Sequence, residues 1–78
     1  MTDISVSSDF WASSMLPDGI LERWRAADGA AIAQGEVVAE VRIEDSLHDL
    51  TAPAGGGLTR LAMVNDLIEP GSLIGRIA

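Results

Sequence analysis

A chain of 78 residues, 47% of them hydrophobic, has material for one small domain (residues 1–78) and one compact core. It contains no cysteine, which excludes disulfides, thiolate metal sites and a cysteine nucleophile and suits a reducing cytoplasm. The net charge of −7 opposes binding to nucleic acid or to an anionic membrane surface, and favours docking onto a basic surface of a protein partner. All five basic residues are arginine and there is no lysine. The sequence shows neither a run of about 18 apolar residues nor the layout of a signal peptide, so a cytoplasmic location is expected.

Ile4 and Val6 alternate with polar neighbours and read as a first short strand. Residues 7–18 form a long loop that ends in the turn residues Pro17-Asp18-Gly19. Phe10, Trp11 and Met15 are apolar for a loop and are expected to fold back over one end of the core. A strand follows over residues 19–25; Leu21 and Trp24 are out of alternation, and a bulge between them would turn both inward. Asp28-Gly29 and Gln34-Gly35 are turns around the lone apolar anchor Ile32.

Val37, Ala39, Val41 and Ile43 recur at the period of a strand with one buried face. Alternation fails at Glu44-Asp45-Ser46, whose short polar side chains favour a turn, and resumes weakly from Leu50 to Pro53. This predicts a hairpin of strands 37–43 and 47–52 with its tip at 44–46. After the triple glycine 55–57, strand sequence is expected through Leu58, Leu61 and Met63. Asn65-Asp66 and Glu69-Pro70-Gly71 are turns around a second anchor, Ile68, and Leu73, Gly75 and Ile77 make the last strand. Many short strands at this turn spacing predict an all-β sandwich or barrel with no helix beyond a turn.

A shift of 36 places lays Gly29 on Asn65, Ile32 on Ile68, Gly35 on Gly71, Val37 on Leu73, Val38 on Ile74 and Val41 on Ile77. Two copies of one unit imply a quasi-twofold axis, with the hairpin at one end and the termini together at the other. Trp24, Ile32, Val41, Ile68 and Ile77 are the expected core.

Trp11-Ala12-Ser13-Ser14-Met15 ahead of Gly19-Ile20-Leu21-Glu22-Arg23-Trp24, then Gly29, Ile32, Gly35, Glu40-Val41, Ala52-Pro53 and the 65–77 repeat, resemble the lipoyl/biotinyl carrier domain over nearly the whole chain. The resemblance is to the lipoyl domains of acyltransferase components in 2-oxoacid and acetoin dehydrogenase multienzyme complexes. It implies a flattened β-barrel of two four-stranded antiparallel sheets. In that family a lysine at a hairpin tip holds lipoate or biotin through an amide. The family lysine falls ten residues after the glycine matching Gly35 and eight before the proline matching Pro53, and both counts reach Asp45. The family's Asp-Lys-Ala reads Glu44-Asp45-Ser46 here, and His48 stands where an apolar residue is usual.

A carboxylate cannot form that amide, and no other lysine is available. One reading is therefore a domain without cofactor that acts as an interaction or structural module through Glu44, Asp45, Ser46 and an exposed Leu47. A second is an altered form of a lipoyl carrier subunit. A third is a carrier of phosphopantetheine on Ser46, because Asp45-Ser46-Leu47 resembles the Asp-Ser-Leu of acyl carrier proteins; that motif opens a helix, and this chain reads as β throughout. Catalysis by His48 with Ser46, Asp45 or Asp49 is disfavoured, because neighbours on a strand face opposite ways and a barrel this small lacks a sizeable pocket. Glu44, Asp45 and Asp49 could meet a hard cation, but a solvated charge run is the expectation, with no metal.

Overall fold

Short runs of β-branched and aliphatic residues, closed by glycine, proline and Asx turns, fold as strands in the computed structural model, which describes residues 1–12 and 14–78. Ser13, inside the 7–18 loop and the Trp-x-x-x-Met stretch, lies outside the described residues. The strands are β1 (Thr2–Ser5), β2 (Gly19–Trp24), β3 (Ala31–Ile32), β4 (Val37–Ile43), β5 (Ser46–Thr51), β6 (Gly56–Arg60), β7 (Leu67–Ile68) and β8 (Leu73–Ile77). A 3-10 turn at Ser8–Trp11 is the one helical element among the described residues. All pairings are antiparallel and form two four-stranded sheets, β1-β8-β6-β3 and β5-β4-β2-β7. The all-β architecture of two sheets agrees with the expectation from sequence.

The 36-residue repeat is a repeat of conformation. Gly29 and Asn65 take φ of 84° and 74°, and Gly35 and Gly71 take 85° and 88°. These are left-handed values that Gly tolerates without steric cost and Asn better than most side chains. The Gly35 N–H donates to the Ala52 carbonyl (2.9 Å) and the Gly71 N–H donates to the Val6 carbonyl (2.8 Å). Ile32 and Ile68 are the buried second residues of two-residue strands, and Val38 and Ile74 are fully buried. Each sheet holds its strands in the same spatial sequence: β4 corresponds to β8, β2 to β6, β5 to β1 and β7 to β3. Thr2 pairs with Ile77, so the termini lie side by side where the other half has its hairpin.

The pairing of β2 with β4 slips between Leu21 and Arg23, the bulge that the spacing of Leu21 and Trp24 requires. Gly56 must be glycine for a steric reason, and Gly57 is held in the strand by hydrogen bonds. A Cβ at Gly56 would run into the Ala78 carbonyl, while Gly57 exchanges two backbone hydrogen bonds with Ala78, each 3.0 Å.

Ile32, Val41, Ile68 and Ile77 are buried as expected, and four expectations are corrected. Trp24 is only half-buried: Nε1 donates to the Ala62 carbonyl at 2.9 Å, and the Arg60 guanidinium lies 5.3 Å from the ring centroid. The tryptophan in the core is Trp11. Met15 does not cover the core and is 94% exposed; Phe10 packs down while Met15 lies beyond the 3-10 turn. β6 ends at Arg60, where the Leu61 and Ala62 N–H groups both donate to the Ile74 carbonyl and break the alternation, leaving Leu61 and Met63 exposed.

Equivalence of the two halves has a measurable consequence. Nothing lies within 4 Å of a Cβ built at Gly35 or Gly71, so alanine at either site costs backbone strain alone. Gly35→Ala and Gly71→Ala should each lower stability by about 1–2 kcal/mol. Gly56→Ala should cost more, since the Ala78 backbone must move. Urea midpoints check this, and widely different values for Gly35→Ala and Gly71→Ala would count against the equivalence.

Candidate functional site

The β4–β5 hairpin is built by strong cross-strand pairing up to its end. Val41 pairs with His48, Arg42 with Leu47 and Ile43 with Ser46, leaving Glu44-Asp45 as a two-residue turn. Two-residue loops need an unusual backbone, and here Glu44 supplies it at φ 56°. The Glu44 carboxylate also accepts from the Met15 N–H at 3.4 Å, tying the long loop to the tip. Glu44, Asp45, Ser46 and Leu47 are all exposed.

Cross-strand partners share a face, which sorts the tip residues. Ser46 and His48 stand opposite the buried Ile43 and Val41, so both turn toward the inner face. The His48 ring stacks on Phe10 at 5.1 Å between centroids and 18° between planes. Around them lies a cavity of about 160 Å3, lined by Asp9, Phe10, Ala12, Ser14, Ile43, Glu44, Ser46 and His48. Leu47 and Asp49 point the other way with Arg42 and Glu40.

On that outer face Arg42 Nε donates to Glu22 at 2.8 Å, and this hydrogen bond and its charge, with a smaller contribution from Asp45, hold the guanidinium more firmly protonated. Beside it is a second, shallower cavity of about 230 Å3, lined by Leu16, Asp18, Gly19, Ile20, Arg42, Glu44 and Leu67. Small-molecule sites usually span about 300–1,000 Å3, so neither cavity has that size.

His48, Ser46 and Asp9 are brought to one cavity, while Asp45 is absent from its lining and Asp49 lies on the opposite face. Among the described residues no three His, Asp or Glu side chains converge as metal ligands would, so Glu44, Asp45 and Asp49 are not gathered into a cage. No helix among the described residues is long and apolar enough to cross a membrane.

Sequence reading missed the most buried charge. Glu40 is only 5% exposed on the outer face of β4. Arg25 Nη1 donates to its Oε2 at 2.7 Å, and Arg23 Nε lies 3.3 Å away. The Arg25 hydrogen bond holds the Glu40 carboxyl below the ordinary carboxylate value, against the opposing effect of burial, with the charges of Arg23 and Arg25 adding to it. The signal was the Arg23-x-Arg25 pair, which crosses to Glu40 once β2 and β4 are in register.

No protein-family model matches the sequence, and no curated protein matches it significantly. The structure is similar to the solution structure of the lipoyl domain of the 2-oxoglutarate dehydrogenase complex from Azotobacter vinelandii, with a TM-score of 0.73 at 18% identity. The match covers 96% of this chain and 95% of that one, so the whole molecule has the fold of a lipoyl domain.

The Glu40 environment predicts an acid-side effect. A lowered folded-state pKa contributes stability that is complete above the unfolded value, about 4.3, and is lost as pH falls through the folded value. Glu40→Gln should therefore be less stable than the wild type at neutral pH, with the gap closing below about pH 4.5. Thermal melts across that range check it; a gap independent of pH would remove the ionised carboxylate as the cause.

Proposed function

We infer that, on the fold of a lipoyl domain, this chain is a non-catalytic module that carries neither lipoate nor biotin and works by binding a protein partner in the cytoplasm. The carrying observation is that the chain has no lysine, while an exposed two-residue turn at Glu44-Asp45 stands where the counts from Gly35 and Pro53 fall. Lipoate and biotin are held through an amide, which needs an amine, and the Asp45 carboxylate offers none. The exposed Glu44, Asp45, Ser46 and Leu47 then become contact residues for a partner with a basic surface, by analogy with domains that dock in multienzyme complexes.

Phosphopantetheine on Ser46 is the competing reading, and two features weigh against it. Ser46 opens a strand rather than a helix, and it stands opposite the buried Ile43 and lines the cavity beside the Phe10–His48 stack, on the inner side of the turn.

Intact mass after incubation with lipoate ligase, with biotin ligase, and with coenzyme A plus a phosphopantetheinyl transferase tests the proposal. The wild-type mass should not change. Asp45→Lys restores the amine on an exposed turn, should alter stability by no more than about 0.5 kcal/mol, and should accept lipoate at least in part. Lysine at Glu44 or Ser46 should be a poorer acceptor, because one step along the chain redirects the side chain. A phosphopantetheine adduct that disappears in Ser46→Ala would overturn this reading in favour of a carrier.

A further inference from the structure

The quasi-twofold supplies an internal control for the surface. Met63, Val64 and Leu67 are exposed by 73%, 44% and 65%, although each is large and apolar. Their equivalents 36 residues earlier are Ala27, Asp28 and Ala31. The backbone at the two places is the same: the Asn65 N–H donates to the Leu21 carbonyl and the Leu21 N–H to the Asp66 carbonyl, as the Gly29 N–H donates to Leu58 and the Leu58 N–H to Ala30. The facing residues differ in the same sense, since Leu67 pairs with Ile20 where Ala31 pairs with Gly57. The fold is thus satisfied by small or charged residues at these positions in one half. In the half beside the hairpin they are apolar and in water, and the fold itself gives no reason for that.

Of these three, Leu67 lines the cavity it shares with Leu16 and Ile20, next to Arg42 and the Glu44 turn. Its edge is acidic: Asp18 and Glu44 line the cavity, while Arg42 is engaged by Glu22 at 2.8 Å. We propose that the outer face of β7 and β2 is a docking surface for a partner protein that inserts an apolar side chain between Ile20 and Leu67, with flanking arginine or lysine residues set against Asp18 and Glu44. This rests on the reading of the chain as an interaction module and extends its contact surface from the hairpin tip to the neighbouring edge of the sheet. Charge selects the occupant. A second copy of this chain would bring another −7 and a matching acidic rim, and phosphate-bearing surfaces are repelled in the same way.

The test uses a displayed library of random short peptides selected on the whole chain, with sedimentation and flotation of phosphatidylcholine vesicles in parallel. Enriched peptides should carry an apolar residue flanked by Arg or Lys, and should bind more weakly at about 1 M salt, where the Debye length is about 3 Å. The triple variant Met63→Ala/Val64→Asp/Leu67→Ala gives this face the residues of its equivalent and should weaken them about tenfold or more. Asp18→Asn/Glu44→Gln, which leaves the apolar residues in place, should weaken binding and flatten its salt dependence, so the proposal stays testable if the triple variant unfolds. Peptides without basic residues, no enrichment, or binding unchanged in a folded triple variant would overturn the proposal. So would self-association or vesicle binding abolished by the same substitutions. None of these results depends on the mass of the protein after ligase treatment, so failure here and failure of the cofactor-free reading are separable.

Discussion

Each half of this chain lacks the strand that completes its own sheet. β7 closes the sheet whose other strands, β2, β4 and β5, lie within residues 19–51, while β3 closes the sheet of β1, β8 and β6, in which the two ends of the chain meet. The exchanged strands are two residues long, and each anchors by one buried isoleucine, Ile32 or Ile68. They reach across because left-handed turns at Gly29 and Gly35, and at Asn65 and Gly71, reverse the chain on either side. Neither half can bury its apolar face alone, so order in one depends on order in the other. The pairings that matter are far apart in sequence, and loop closure has to precede their reward.

Charge on the surface is distributed to the same end. Arg23 and Arg25 meet over Glu40, Arg42 meets Glu22, Arg76 meets Asp3, and Arg60 lies over Trp24. Every arginine thus has a carboxylate or aromatic partner within the domain, and 12 acidic residues face five basic ones. The excess falls partly on the hairpin turn and its surroundings, which gives that end of the molecule a negative field without a local counter-charge except Arg42. A field of that kind steers encounters with basic surfaces and repels anionic ones.

The strands and turns were legible because their signals are local: alternation, glycine and Asx chemistry, and a repeat whose matched positions are the turns and anchors. The bulge after Leu21 could be read from a three-residue spacing. What escaped depended on the partners of a residue. Trp24 reads as an apolar anchor of the core, yet it is half-buried, with its N–H on the Ala62 carbonyl and the Arg60 guanidinium over its ring. Glu40 falls between the alternating apolar residues of β4, on the opposite face, yet it is buried there beneath two arginines from the neighbouring strand. Met15, Leu61 and Met63 carried an apolar signal that implied burial, but no element lies over them. At the tip, the position of Asp45 came from counting along the chain; the inward turn of Ser46 and His48 needed the register of β4 against β5.

The pairing of Thr2 with Ile77 makes the molecule nearly a closed ring, interrupted at a place that the pseudo-symmetry equates with the Glu44-Asp45 turn. Where the chain is cut is therefore almost arbitrary for the architecture. A permuted gene that bridges Ala78 to Met1 and opens between Glu44 and Asp45 would encode the same two sheets with the roles of their ends exchanged: the corner that holds Met1 and Ala78 becomes the loop, and the former loop becomes the point of attachment to whatever lies beyond. In such a fold, display of a tip and tethering of a terminus are two uses of one corner.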